Sequence, residues 1–191
     1  MIPGKRCRIL LRGMMAILLL EVCHSPAVLA GAEAGEAEVK AAFVFNFIKF
    51  VEWPASAFQS PEEPVRLTVL GNDPVGTALA SLDGRKVSGR RVVVRKVPSI
   101  SGLERCHVLF VGAAQKWALP AVFRAIQRWP VLTIADIEGF PDRGGTIGFV
   151  RRGDRVGFEI NEEAARKAGL DVSAKLLYLG KSAHARQGGE R

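Results

Sequence analysis

The residues in this sequence best suited to chemistry are the neighbouring Cys106 and His107. A cysteine nucleophile needs a histidine base within hydrogen-bonding reach and a third group that orients the base. Adjacent residues of a strand point to opposite faces, so these two side chains cannot meet if the apolar run 106–111 is a strand. The pattern favours a small buried cysteine and a structural histidine. No catalytic residues are predicted, and the protein is not expected to be an enzyme.

Residues that bind metals are also sparse. The sequence contains three histidines and three cysteines, scattered over 191 residues. A zinc site needs three or four cysteine, histidine or carboxylate ligands that converge, usually from closely spaced pairs. No metal and no other cofactor is predicted.

A loop that could bind an anion follows the first predicted strand. The run 71–76 reads Gly-Asn-Asp-Pro-Val-Gly and precedes a predicted helix, a place where α/β sheets often bind anionic groups. It lacks the lysine of a P-loop and the G-x-G-x-x-G spacing, which favours a structural turn. The alternative is a small anionic ligand held by Asn72, Asp73 and Arg91.

Basic residues are in excess, and the formal net charge is +8. They include pairs at 90–91, 95–96 and 151–152, without interleaved aromatic residues. Nucleic-acid-binding surfaces combine a concentrated basic stripe with a recognisable motif, and neither is present. The pairs indicate a solvated surface, or contact with anionic lipid or an acidic partner, and no nucleic acid is predicted as a partner.

The first 30 residues have the pattern of a secretory signal peptide. Four basic residues lie within 5–12, and an apolar run covers 13–20. Val28 and Ala30 then provide small residues at the −3 and −1 positions of a cleavage site. The predicted localisation is the periplasm, after cleavage near Ala30.

Export has two consequences for the mature chain. Residues 31–37 are rich in Gly, Ala and Glu, and are predicted to form a flexible spacer. Removal of the leader takes away Cys7 and Cys23 and leaves Cys106 alone. No intramolecular disulfide is therefore predicted.

The segment that organises the rest of the chain is the apolar run 38–54. Phe43, Phe47 and Phe50 follow helical spacing. Pro54 is expected to end the helix, because the residue before a proline avoids the helical region. The wide apolar surface predicts a helix that packs in the core.

The remaining chain alternates predicted strands and helices, which is typical of an α/β fold. The elements are strands at 65–70, 91–97, 106–111 and 131–137, helices at 75–82, 115–127 and 162–168, and a hairpin of 146–150 with 155–160. Residues 142–145 are interpreted as a connector, and 172–180 fits a strand or a helix. The predicted fold is an α/β single-domain sandwich over 38–180, with a mostly parallel sheet, helices on both faces and a C-terminal hairpin. Residues 181–191 are predicted to be a disordered tail.

Several of these stretches together resemble the YfiR family, also described as a DUF4154-type domain. The resemblance depends on their order along the chain and covers most of residues 38–180. The matching stretches are the helix 39–54, the strand 65–71 with Asn72-Asp73-Pro74, and the runs 106–111 (CHVLFV), 130–134 (PVLTI), 144–149 (GGTIGF), 156–161 (VGFEIN), 164–170 (AARKAGL) and 173–177 (SAKLL).

The resemblance implies a non-enzymatic periplasmic regulator. YfiR-like proteins bind and repress an inner-membrane diguanylate cyclase, and so control cyclic-di-GMP and biofilm formation. The resemblance also implies a possible homodimer, with the membrane contacted only through the partner. Relatives carry paired cysteines that respond to redox state, whereas Cys106 has no such partner. The partner surface is expected to include exposed residues of the first helix and a late segment with Glu159, Asn161, Glu162, Arg166 and Leu170.

Two other functions make different demands on the sequence. A periplasmic small-ligand binding module could serve a sensor kinase or a transport system, and it would need a polar pocket near Asn72 and Asp73. An exported hydrolase would need a paired nucleophile and base, which the sequence does not offer.

Overall fold

The structure is a computed structural model, and it describes residues 27–153 and 155–185. Of these, residues 34–153 and 155–185 belong to one compact unit, and residues 27–33 belong to another. The predicted signal peptide falls outside the described residues over 1–26, and so does the end of the predicted tail, 186–191.

A seven-stranded sheet forms the centre of the domain, with the strand order β3-β4-β2-β5-β6-β7-β8. A separate two-stranded ribbon pairs β1 with β9. The strands are β1 (Val51–Glu52), β2 (Val65–Leu70), β3 (Lys86–Val87), β4 (Arg90–Val97), β5 (Val108–Val111), β6 (Leu132–Ala135), β7 (Ile147–Arg152), β8 (Arg155–Ile160) and β9 (Asp171–Val172). Strands β4, β2, β5, β6 and β7 are parallel, whereas β3 and β8 are antiparallel to their neighbours. The predicted single α/β domain is confirmed, and β7 and β8 form the predicted hairpin.

The helices connect these strands. They are α1 (Ala27–Lys49), α2 (Pro74–Ala78), α3 (Leu119–Ile126), α4 (Glu162–Lys167) and α5 (Ala174–Ala185). Short 3-10 helices occupy Ala55–Ala57, Leu79–Leu82, Ile100–Gly102 and Ala113–Gln115. Within 27–153 and 155–185, no helix combines the length and the hydrophobicity that a membrane span requires.

The sheet separates two hydrophobic clusters. In β5, Val108 and Phe110 point into the larger cluster, which includes residues of α1 and α5. Leu109 and Val111 point into the smaller cluster, which includes residues of α3. Because β5 is buried on both faces, its sequence is continuously apolar instead of alternating. Helices therefore cover both faces of the central strands, as predicted.

The first helix starts earlier and ends earlier than the sequence suggests. Residues 31–37 belong to α1 instead of forming a flexible spacer, since alanine and glutamate favour helix. The helix ends at Lys49 and not before Pro54. The Phe50 N–H donates to the Phe47 carbonyl at 3.0 Å, and the chain then enters β1.

Several other boundaries also differ from the prediction. Strand β5 begins at Val108, two residues later than expected. Helix α3 begins at Leu119, because Pro120 is tolerated in a first turn but not inside a helix. Residues 181–185 belong to α5 and not to the predicted tail. The same helix includes 174–180, which is most of the segment that fitted a strand or a helix.

The β3 end of the sheet is only partly covered. β3 pairs with the first two residues of β4 alone. Beyond that pairing, the N–H of Val94 donates to a carboxylate oxygen of Asp83 at 2.9 Å. On the side of β4 that faces away from α1, Arg91, Val93 and Arg95 are exposed.

Candidate functional site

His107 is held by backbone groups on two sides. Its Nδ1 accepts a hydrogen bond from the N–H of Arg66 at 3.0 Å, and its Nε2 lies 3.1 Å from the carbonyl oxygen of Ala57. An accepting Nδ1 places the proton on Nε2, which then donates to Ala57. Burial lowers the pKa of His107, and the ring stacks on Phe58 with 4.2 Å between centroids. With both nitrogens engaged, His107 has a structural role.

Cys106 is a buried free thiol. It packs in the smaller hydrophobic cluster, and burial raises its pKa to about 11. The reactive form of cysteine is the thiolate, so a thiol with this pKa is a poor nucleophile near neutral pH. In the described part of the chain, His, Cys, Asp and Glu side chains do not gather in groups of three or more that could hold a metal ion.

The predicted anion loop is a helix cap. Asp73 precedes α2, and its Oδ1 accepts a hydrogen bond from the N–H of Gly76 at 2.7 Å. This is the contact of an N-cap residue, which satisfies a free donor at the helix start. Asn72 and Asp73 do line a groove of about 700 Å³, with small residues of α1 and α2.

Arg91 lies far from that groove. β2 and β4 are parallel and in register from Val65 beside Val92 to Leu70 beside Val97. Arg91 is therefore at the start of the strands, whereas Asn72 follows their ends. Six strand positions correspond to about 20 Å. The structure does not bring the three predicted ligand-binding residues together.

A charge network around the buried Lys40, which the sequence did not indicate, joins α1 to the sheet. The Lys40 ammonium lies 2.6 Å from a carboxylate oxygen of Glu36 and 2.6 Å from one of Asp136. Arg151 adds a second cation, 3.4 Å from Glu36. Burial alone would lower the pKa of Lys40, but hydrogen bonds to Asp136 and Glu36 outweigh it and leave the pKa raised. Lys40 occurs inside an apolar run, so its spacing gave no sign of this role.

Three predicted partner-binding residues lie together around one cleft, which we name the acidic cleft. They are Glu159 near the end of β8, Asn161, and Glu162 at the start of α4. The cleft has a volume of about 440 Å³ and is lined by Pro141, Asp142, Glu159, Ile160, Asn161, Glu162, Leu177 and Gly180. Three carboxylates thus surround a partly apolar floor.

Asn161 fixes the shape of the acidic cleft. Its Oδ1 accepts from the N–H of Ala164 at 2.8 Å and caps α4. Its Nδ2 donates to the carbonyl oxygen of Pro141 at 2.8 Å, which holds the loop that carries Asp142. Because both ends of the amide are engaged, Asn161 positions the cleft and offers little to a partner.

Helix α5 forms another wall of the cleft. A Cβ added at Gly180 would lie 3.1 Å from Cδ1 of Ile160, so the helix approaches β8 closely at that point. Tyr178 and Leu179 lie on the same helix and are 71% and 48% exposed, but neither lines the cleft. The sequence left this segment undecided between strand and helix, so the wall that α5 forms was not predicted.

The other two predicted contacts lie elsewhere. Arg166 is exposed on α4 and does not line the cleft. Leu170 is 3% exposed and belongs to the core. Gly169 has a φ of +74°, and the N–H of Leu170 donates to the carbonyl of Ala165, which turns Leu170 inwards after the helix. Leu170 therefore cannot be a surface contact.

The exposed positions of α1 form a separate surface. They include Glu38, Val39, Ala42, Asn46 and Lys49. None of them lines the acidic cleft.

Comparison with protein-family models gives a match to a family described as YfiR/HmsC-like, over residues 37–181. The matched region contains the whole sheet, both hydrophobic clusters and the acidic cleft. No functionally curated protein matches the sequence significantly.

Proposed function

The chain belongs to the YfiR/HmsC-like family, and from this premise we propose that it is a periplasmic protein that binds an inner-membrane diguanylate cyclase and represses it. The family is regulatory and non-catalytic, and its members are periplasmic. Repression of the cyclase would lower cyclic-di-GMP and limit biofilm formation. The observation that carries the proposal is the family match over 37–181.

The sequence supports the proposed location. Residues 1–30 have the charge, the apolar run and the small residues of a cleaved signal peptide. Cleavage near Ala30 would release the mature protein into the periplasm. There it would meet the periplasmic part of the membrane partner.

The acidic cleft is the surface that we assign to the partner. Glu159 and Glu162 flank Asn161, whose hydrogen bonds fix the junction between β8 and α4. A surface held in place in this way loses little conformational entropy when a partner binds. Carboxylates beside the apolar side chains of Ile160 and Leu177 complement a segment with basic and apolar side chains.

The test is cellular cyclic-di-GMP after deletion of the gene. We expect a rise that is reversed by a copy with its leader and not by a leaderless copy. Inactivating the catalytic GGDEF domain of the partner cyclase in the deletion strain should abolish the rise. An unchanged cyclic-di-GMP level on deletion would overturn the proposal, and screening for small ligands of the exported domain would then become the next step.

A further inference from the structure

The face of the sheet at β3 and β4 that points away from α1 carries a group of basic side chains. Lys86 of β3 and Arg91 of β4 are direct partners in an antiparallel pair, so their side chains share one face. Val93 and Arg95 follow on the same face, because alternate residues of a strand point the same way. Arg66 of β2 lies beside Val93. We name Lys86, Arg91, Val93, Arg95 and Arg66 the basic face.

The basic face is open to solvent. Lys86 and Arg91 are exposed, and Val93 is 39% exposed. The side chains of Arg95 and Arg66 keep 49% and 34% of their surface. On this side of the sheet, α3 packs with Val97 and Leu70 at the opposite ends of the strands. The basic face is therefore an exposed part of the sheet that α3 does not cover.

The charges on this face are only partly balanced. Glu104 pairs with Arg95, and Glu63 pairs with Arg66. Among the residues that the structure describes, no acidic side chain forms a salt bridge with Lys86 or Arg91. Like charges directly opposite each other destabilise an antiparallel pair. An anionic surface placed over Lys86 and Arg91 would relieve this repulsion.

From the exposure and the incompletely balanced charge of these side chains, we propose that the basic face binds directly to an anionic phospholipid membrane. No residue of the basic face lines any of the cavities described above, and alternate residues of a strand present their side chains on one side. A lipid surface offers many phosphates at once to such a set of basic side chains. The proposal rests on the proposed function in one respect, the identity of the membrane, which is the inner membrane. It adds a direct lipid contact to the contact that the protein makes through its membrane partner.

The experiment uses the exported protein and sedimentation with lipid vesicles. Equal parts of phosphatidylglycerol and phosphatidylcholine give the anionic vesicles, and phosphatidylcholine alone gives the neutral ones. We expect binding to the anionic vesicles that weakens as salt is added, because exposed charges are screened. We expect no binding to the neutral vesicles.

A charge reversal on the basic face is compared with one on the opposite side of the sheet. Each basic residue near an anionic surface contributes about fivefold to binding, so Arg91→Glu should weaken binding by more than fivefold. It sets opposite charges side by side with Lys86, so folding should be preserved. Arg91→Gln removes the charge without adding one and should give a smaller loss. The control is Lys175→Glu on α5, which is exposed and changes the net charge equally.

Each outcome decides the proposal. A selective loss with the Arg91 variants supports it. Equal losses with Lys175→Glu would show that only net charge matters, and absence of binding to anionic vesicles at low salt would also overturn it. If Arg91→Glu abolished repression in cells although the protein never bound vesicles, the face would be a contact for an acidic protein instead. Vesicle binding without any effect of gene deletion on cyclic-di-GMP would overturn the proposed function and leave this inference standing.

Discussion

Lys40 of α1 and Asp136 at the end of β6 form an ion pair with 2.6 Å between the ammonium nitrogen and a carboxylate oxygen. The two residues are 96 positions apart in the sequence, so the pair forms only when α1 packs against the sheet. Lys40 is 7% exposed, whereas the side chain of Asp136 keeps 35% of its surface. The pair therefore fixes the position of α1 while water still reaches the acidic partner.

Replacing Lys40 should destabilise the protein. Breaking a fully buried ion pair costs about 3–5 kcal/mol, and partial hydration of Glu36 and Asp136 reduces this. We expect Lys40→Met to lower the free energy of unfolding by about 2 kcal/mol, measured by urea denaturation. The control is Lys167→Met, since Lys167 forms an exposed pair with Glu163 that should contribute far less to stability. Equal losses for the two variants would contradict a special role for Lys40.

The stability of the fold should depend on the protonation of His107. Burial holds its pKa below the ordinary value of 6.5. As the pH falls below 6.5, His107 binds a proton in the unfolded chain before it does in the folded chain. The free energy of unfolding that is present above pH 6.5 is therefore progressively lost. The expected slope is up to about 1.4 kcal/mol per pH unit, measured by urea denaturation between pH 7 and pH 5.

A variant separates His107 from other titrating groups. His107→Asn offers an oxygen that can accept the Arg66 N–H but does not titrate, so the slope between pH 7 and pH 5 should flatten. The pKa values of Glu36 and Glu63 lie below 4.5, lowered mainly by hydrogen bonds from Lys40 and from the Gln59 backbone, so they act at lower pH. An unchanged slope in His107→Asn would rule out His107 as its source.

Gly145 should not tolerate a side chain. An added Cβ would lie 2.1 Å from Cε1 of Phe140, whose ring is fully buried. We expect Gly145→Ala to lower the free energy of unfolding by about 3 kcal/mol, at the upper end of the range for overpacked cores. Gly153→Ala is the comparison, because Gly153 has a φ of +56° and no atom within 4 Å of an added Cβ. Gly153→Ala should lower the free energy of unfolding by only about 1 kcal/mol, the cost of a left-handed backbone conformation for alanine. A larger loss for Gly153→Ala than for Gly145→Ala would contradict the packing argument.

The acidic cleft can be tested with two neighbouring glutamates. Glu162 lines the cleft, whereas Glu163 points to a different groove, and both lie in the first turn of α4. Glu162→Lys and Glu163→Lys therefore change the net charge equally within one helical turn, and Glu163→Lys also removes the exposed pair with Lys167. Only Glu162→Lys should raise cellular cyclic-di-GMP, at a protein level equal to wild type in immunoblots. Equal effects would remove the cleft from the proposed partner surface.

Features that depend on neighbouring residues were predictable from the sequence. The strand predicted at 65–70 is β2 with the same limits. The helix predicted at 162–168 is α4, which follows Asn161 and ends before Gly169, because capping depends on side-chain reach and backbone freedom over a few residues. The C-terminal hairpin was predicted for the same reason.

Features that depend on strand register and helix packing were not predictable. The alternative ligand site required Arg91 to lie near Asn72, but parallel pairing places the start of β4 beside the start of β2. The buried role of Lys40 depends on Asp136, which is distant in sequence. In the acidic cleft, Glu159 and Glu162 were predicted, whereas Asp142 joins them only because Asn161 binds the loop at Pro141.

The partly covered edge of β4 has a consequence for aggregation. An exposed strand edge is a template on which a second copy can extend the sheet. Here the N–H of Val94 already donates to Asp83. In an antiparallel pair of two copies, the arginine and lysine side chains of one β4 would also lie beside those of the other β4 and repel them. The domain therefore resists fibre-like growth at this edge, and a homodimer of the kind implied by the family would form through another surface.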